Sequence, residues 1–245
     1  MSAPILLVFG AGSNVGLKTA AHFAERGYRV AVVSRSLSAA EHPKYLTINA
    51  DVGDPGAIQG VFERVRAELG DPNVVLWNPV AWPKPPSPDD ILALDPAELQ
   101  NAINVNHISA VVAAQQAVQG FARIAAAATA AGEKQWSTVF LYTGNLFYEQ
   151  VIPRYWAMGA AKAASAHMIR AAAGTYWEKG FRFHFADERY DDGTPPYDKL
   201  DGETHAKAFY ALVHEPPRLK PIVTFSRSRG IHDFGFVRAP ESIDL

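Results

Sequence analysis

Apolar positions along this chain fall into two patterns, short continuous runs and longer stretches with helical spacing. The run at 4–10, PILLVFG, is uniformly apolar and ends in glycine, as expected of a strand covered on both faces. Beyond a glycine-rich turn, 16–27 places Leu17, Ala20, Ala21, Phe23 and Ala24 on one stripe and stops at Gly27, which predicts a helix. Further strands are predicted at 28–36, 45–55 (running into a turn), 73–78, 137–144, 181–187 and 220–226. Helices are predicted at 55–70, 97–132 (one long helix or two abutting ones), 154–177 and 203–215. Strands that alternate with helices imply right-handed crossovers and a parallel sheet. The expected fold is therefore α/β, a single doubly wound Rossmann-type domain over 1–245 with about seven strands and helices on both faces.

The segment 79–96 has six prolines in eighteen residues and is expected to be a surface loop, because proline cannot donate to a sheet ladder. Composition adds mainly exclusions. Of 245 residues, 48% are apolar and 20% charged, ordinary for a soluble globule. A net charge of −2 gives no electrostatic reason to expect nucleic acid or an anionic membrane as partner. There are no cysteines, which removes disulfides and thiolate metal sites, and the histidines show no HxxxH or HxH spacing, so no metal is expected. No window approaches the roughly 20 apolar residues needed to span a bilayer, and the N-terminus lacks the basic-then-apolar layout of a signal. A cytoplasmic protein acting on a small molecule is the resulting expectation.

The first strand and helix are joined by Gly10-Ala11-Gly12-Ser13-Asn14-Val15-Gly16. Small residues allow a sharp turn, and the helix start then offers free N–H groups and a positive dipole end to a phosphate. Gly10, Gly12, Ser13, Asn14, Val15 and Gly16 are therefore candidate contacts for a dinucleotide pyrophosphate. The second strand ends Ser34-Arg35-Ser36, with no carboxylate to accept from a ribose 2′-hydroxyl and a guanidinium able to pair with a 2′-phosphate. That composition favours NADP(H) over NAD(H).

Over nearly its whole length the chain resembles the short-chain dehydrogenase/reductase family. Its glycine turn is similar to that family's GxxxGxG, with Gly10 and Gly16 kept and Asn14 at the middle glycine. Asp51 and Val52 fall where the family contacts adenine, and Asn78 matches one position of Asn-Asn-Ala-Gly. Asn106 falls on the asparagine that holds a relay water, Thr143 on the catalytic serine, and Lys162 on the lysine of Tyr-x-x-x-Lys. Met158 occupies the tyrosine's position, and the Pro-Gly after the sixth strand is replaced by ADERYD at 186–191. These departures resemble a divergent branch without the tyrosine.

The resemblance implies hydride transfer between nicotinamide C4 and a carbonyl carbon, with Lys162 on the nicotinamide ribose, Thr143 on the substrate oxygen and Asn106 on the relay water. A thioether cannot donate a proton, so Met158 cannot be the acid. Tyr155 lies within about 60° of arc of positions 158 and 162 on a helix, which makes it the leading relocated acid or an aromatic packing residue. Tyr148 is a weaker candidate. So are Tyr142, which should face away from Thr143 on the strand, and His107, about 100° from Asn106 on the helix. Trp77, Trp82, Phe147, Tyr148 and Trp156 are candidates for an aromatic pocket, and 188–205 for a lid. The expected function is NADPH-dependent reduction of a carbonyl or activated C=C of a small organic substrate. The alternatives are an NADP(H)-binding protein without redox catalysis, or a non-redox isomerase or cyclase on the same fold. The resemblance also implies a homodimer or homotetramer paired through the helices at about 97–130 and 154–177, whose alanine-rich faces permit close packing.

Overall fold

A computed structural model describes residues 2–214 and 220–235; the predicted helix end at Glu215 and both extreme termini lie outside them. The elements are β1 (Ile5–Phe9), α1 (Val15–Ala24), β2 (Arg29–Ser34), β3 (Leu46–Asn49), α2 (Ala57–Glu68), β4 (Val74–Trp77), α3 (Pro96–Ile103), α4 (Ser109–Ala131), β5 (Thr138–Thr143), α5 (Trp156–Tyr176), β6 (Phe181–Glu188), α6 (Gly202–His214), β7 (Ile222–Ser226) and β8 (Gly230–Ile231). They form one sheet in the order β3-β2-β1-β4-β5-β6-β7-β8. The first seven strands in chain order run parallel; β8 folds back antiparallel on β7. Among the described residues the sheet has eight strands, in line with the about seven expected, the extra one being β8, whose two residues are too few to show a period.

The uniform apolarity of β1 reflects burial of both its faces. Ile5, Leu7 and Phe9 point into a cluster with Ile58 and Phe62 of α2, Phe121 of α4 and Ile169 of α5. Leu6 and Val8 point the other way, onto Phe23 of α1 and Phe209 and Leu212 of α6. β4 and β5 are likewise buried at every position. The order in which strands are added reverses between β1 and β4, which opens a crevice at the strands' carboxyl ends.

The stretch predicted at 97–132 is one continuous rod with an irregularity in it. Asp95 caps α3 by accepting from the Ala97 amide at 2.6 Å, Pro96 takes the first turn, and Gly132 ends α4 at φ 61°. Between α3 and α4, Asn104–Ile108 form a π-helical turn. Ala110, Ala113, Ala114 and Ala117 lie in the core, so part of the alanine face expected to pair subunits packs onto this chain's own sheet. Among the described residues no helix is long and apolar enough to cross a membrane.

Gly10 ends β1 at φ +76°, and a Cβ there would lie 2.7 Å from the Pro79 nitrogen and 2.9 Å from the Asn78 carbonyl carbon. Both obstacles are backbone, so neither can rotate away. Gly10→Ala should lower unfolding free energy by about 2 kcal/mol or more, read as a lower urea midpoint at unchanged slope.

Candidate functional site

The strand ends at the crevice are tied together by one amide. Asn78 donates its backbone N–H to Phe9 O (3.1 Å) and its Nδ2 to Gly10 O (2.8 Å), and accepts the Thr143 hydroxyl at Oδ1 (2.9 Å). An amide oxygen carries no hydrogen, so the Thr143 proton is directed to Asn78 and Thr143 offers the crevice its lone pairs.

Within the glycine turn the glycines have different reasons. A Cβ on Gly16 would collide with Gly10 O and Ala11 Cα, so Gly16 is required by the turn's own packing. A Cβ on Gly12 would meet nothing within 4 Å, and Gly12 borders open space beside the first turn of α1. Of the amides in that turn, Leu17 N–H donates to Gly12 O at 2.9 Å, and those of Val15 and Gly16 have no intrahelical acceptor. Asn14 reaches across the crevice: Nδ2 donates to Leu200 O at 2.8 Å, and Oδ1 accepts the Gly202 amide at 3.0 Å. Gly202 must be small, since its Cβ would lie 2.6 Å from Asn14 O. The residue standing at the family's middle glycine thus ties the segment before α6 to the glycine turn.

A cleft of about 430 Å3 runs from this turn past Asn78 and Thr143 to Lys162. The segment expected as a lid supplies one wall through Pro195, Pro196, Tyr197, Asp198 and Leu200. Lys162 is 3% exposed; its Nζ donates to Thr143 O at 2.9 Å and sits 4.5 Å above the Tyr142 ring. Burial pulls its pKa down to about 7, against the opposing pull of Asp187.

Carboxylates occupy the end of β6. Asp187 and Arg189 form a buried pair at 2.6 Å, and burial still pushes Asp187 up to about 6. Glu188 accepts the Asp201 amide at 2.9 Å, lies 3.3 Å from His205 Nδ1, and is raised by burial to about 7. Both carboxylates line the cleft. Sequence reasoning did not weigh them as site residues, although a charged run directly after an apolar strand was the available signal.

The other expected residues are distributed as follows. Asn106 is fully buried and does not line the cleft: its Nδ2 donates to Ala81 O (2.6 Å) and Ala102 O (2.9 Å), bracing the proline-rich segment. The π-helical turn leaves its carbonyl to accept from Tyr142 Oη (2.6 Å) and Ser165 Oγ (2.8 Å), so protein hydroxyls already fill that carbonyl. Tyr155, at 1% exposure, packs with Phe147, Ile152 and Met158, its ring 6.3 Å from Trp82, and it too does not line the cleft. Tyr142 faces away from the cleft as strand alternation requires, stacked 5.2 Å from Phe185, with its pKa driven far up by burial. His107 Nδ1 lies 3.0 Å from Ser165 Oγ. Of the five aromatic pocket candidates, Trp82 and Phe147 line the cleft; Trp77 donates to Val105 O in the core and Trp156 to Ile91 O.

Ser34, Arg35, Asp51 and Val52 lie at the ends of β2 and β3, outside the cleft wall. Arg35 is exposed, Asp51 Oδ1 accepts the Gly53 amide at 2.9 Å, and Val52 O accepts Ser109 Oγ at 2.7 Å. A further wall residue, Tyr197, escaped sequence reasoning, because nothing in its local pattern marks it. Among the described residues no cluster of His, Cys, Asp or Glu is arranged to hold a metal.

Two outcomes follow from this geometry. Asn14→Ala removes two hydrogen bonds between the glycine turn and the start of α6, and should cost about 1–3 kcal/mol in chemical denaturation. For Lys162, the folded pKa lies below the ordinary 10.5, so the burial penalty is complete below about pH 7 and gone above 10.5. Wild type should therefore gain stability over Lys162→Met across that window, at up to about 1.4 kcal/mol per pH unit in paired denaturation series. Asp187, shifted from 3.8 up to about 6, acts in a lower window, stabilising below 3.8 and losing that contribution by about pH 6.

Comparison with known proteins agrees with this architecture. A family model described as enoyl-(acyl carrier protein) reductase matches residues 10–186. A short chain dehydrogenase/reductase of Cryptosporiopsis sp. (strain 8999) is 32% identical over 244 residues, covering 96% of each chain. Cis-4-hydroxycyclohexanecarboxylate dehydrogenase of Sinomonas cyclohexanicum is 28% identical over 212 residues, 82% of this chain and 78% of that one. Among solved structures, a metagenomic short-chain oxidoreductase in complex with NADP superposes at TM-score 0.73 and 19% identity, covering 93% of this chain and 99% of the other. The 3-ketoacyl-(acyl-carrier-protein) reductase of Brucella melitensis, complexed with NADH, superposes at 0.72 and 18% identity, covering 93% and 97%. With a family match across most of its length and a near-full-length relative above 30% identity, the chain belongs to the short-chain dehydrogenase/reductase family.

Proposed function

We propose that this protein is an NADPH-dependent reductase of a carbonyl, or an activated C=C, in a small, largely apolar substrate. One observation carries this: a single cleft joins the open space at Gly12 to the buried Lys162 and Thr143. A pyrophosphate needs close backbone approach at such a helix start, and Gly12 leaves that room. Lys162 spends its one hydrogen bond among the described residues on Thr143 O, so two of its N–H groups remain for ribose hydroxyls. Arg35 would pair with the 2′-phosphate, and Asp51 and Val52 would border the adenine. When bound, the reduced nucleotide supplies the hydride. Val80, Trp82, Leu146, Phe147 and Met158 present an apolar wall that exclude water from the reacting centre and suit a substrate ring. Thr143, its own proton spent on Asn78, can accept from a hydroxyl or N–H group in the cleft but makes no hydrogen bond to a carbonyl oxygen in this arrangement.

A second reading, nucleotide binding without turnover, is favoured by Met158 at 1% exposure in the acid's place. Loss of a positioned general acid costs about 10²–10⁴-fold in rate. NADPH bound tightly but consumed with no member of a carbonyl and enone panel would select this second reading.

NADPH should change its fluorescence on mixing and raise the melting temperature. Gly12→Ala should leave the melting temperature of the free protein unchanged and weaken NADPH by about 10-fold or more, because the added Cβ meets no protein atom and occupies the phosphate's space. Arg35→Ala should weaken NADPH by about 10-fold and leave NADH unaffected, the loss of a charge-assisted bond. No response to either nucleotide at millimolar concentration would overturn the proposed function.

A further inference from the structure

Hydrogen bonds alone do not account for how this cleft holds a substrate. The Thr143 proton goes to Asn78, and Met158 has none to give. Around them the wall is built from Val80, Trp82, Leu146, Phe147, Pro195 and Pro196. Apart from the indole N–H, those side chains carry no hydrogen-bonding group. Apolar contact must therefore orient a substrate there, and a flat ring laid on a flat wall makes the most contact per atom.

Trp82 supplies such a wall. It is 45% exposed, although its ring lies 6.3 Å from that of Tyr155 at an interplanar angle of 26°. Behind it, Tyr155 lies 5.7 Å from Phe147 at 30°, and Phe147 lies 6.2 Å from Tyr197 at 38°. These rings follow one another at shallow angles, with Trp82 as the terminal and most open member. Lys84 Nζ sits 5.7 Å from the Trp82 centroid and 5.4 Å from that of Tyr155. Being no farther from Tyr155 than from Trp82, it flanks the pair and leaves the outer end of the series open.

The platform is held before any ligand arrives. Ala81 donates its N–H to Asn106 Oδ1 at 3.4 Å and accepts Asn106 Nδ2 at 2.6 Å. The Asn106 carbonyl is in turn gripped by Tyr142 and Ser165. Further along the segment, Ile91 O accepts Trp156 Nε1 at 2.7 Å. Preformed contacts of this kind spare a ligand the cost of ordering the site.

We propose that the substrate of this cleft is a planar, conjugated ketone, with an aromatic ring beside the reacting carbonyl, and that it stacks on the open face of Trp82. This names the substrate class of the reductase proposed above and rests on that function. Flatness is what the indole reads. A saturated ring of the same skeleton holds hydrogens out of its plane and cannot lie close to an aromatic face along its whole length.

The probes are 1-tetralone and trans-1-decalone, ketones of one carbon skeleton that differ in whether the second ring is aromatic. Protein saturated with NADP+ has no hydride to give, so calorimetric titration reads binding without turnover. 1-Tetralone should bind about 3–10-fold more tightly than trans-1-decalone. Trp82→Leu should abolish that ratio, and Trp82→Phe should keep most of it. Binding of 1-tetralone should also quench part of the wild-type indole emission, and Trp82→Phe should lack that part, which keeps the role of Trp82 measurable should Trp82→Leu fold poorly. With NADPH the same order should appear in KM for the ketones, with KM for NADPH unchanged in both variants. Equal binding of the two ketones by wild type, a ratio retained in Trp82→Leu, or an unchanged quench in Trp82→Phe would overturn the stacking on Trp82, while turnover of either ketone would leave the reductase function standing. A Trp82-dependent ratio with turnover of neither ketone would uphold the stacking and overturn the reductase function.

Discussion

The amide of Asn78 is the constraint on which the cleft is organised. It joins β1, β4 and β5 at the carboxyl ends of the central strands, where the strand order reverses, using a backbone N–H, a side-chain N–H and a side-chain oxygen. Its oxygen has no hydrogen, so the bond to Thr143 has a fixed polarity. That polarity makes Thr143 an acceptor toward the cleft, beside the Lys162 ammonium as a donor. The same junction explains Gly10, whose missing side chain lets the Asn78–Pro79 backbone approach.

Around this junction the protein keeps several charges out of water. The Lys162 ammonium, the Asp187–Arg189 pair and Glu188 beside His205 are all buried near the end of β6. Each burial carries a desolvation cost that the neighbouring charges and hydrogen bonds only partly offset, which is why Lys162 is pulled down to about 7 and Asp187 pushed up to about 6. A fold does not need such a cluster for stability alone. A neutral ribose and a carbonyl substrate arriving in the cleft would find donors and acceptors already oriented, the condition under which preorganised electrostatics act most strongly.

Around the cleft, residues far apart in the chain hold one another in place. Asn14 uses its side chain to hold the segment that carries Tyr197. Met158 lies in a small apolar cluster with Phe147, Ile152 and Tyr155, and Tyr197 packs against that cluster. Asn106 keeps its position, yet its carbonyl is filled by Tyr142 and Ser165 and its side chain braces Ala81.

The layered α/β fold, the first seven strands, the glycine turn and the presence of Lys162, Thr143 and Asn78 near one crevice were legible from sequence. The strands, helices and glycine turn depend on local periodicity and on where a strand must end, both written in adjacent residues, whereas Lys162, Thr143 and Asn78 were marked by the family resemblance. The opposed facing of Tyr142 and Thr143 was legible for the same reason. What only tertiary structure decided were contacts between residues far apart in the chain: Asn14 with Leu200 and Gly202, Tyr197 with Phe147, and the exclusion of Tyr155 from the cleft. A helical wheel places Tyr155 and Lys162 on one face, but it cannot tell which part of that face an aromatic cluster will cover. Nor can any local pattern show that a hydroxyl carried by a loop will be buried without a partner, because that depends on every element packed around it.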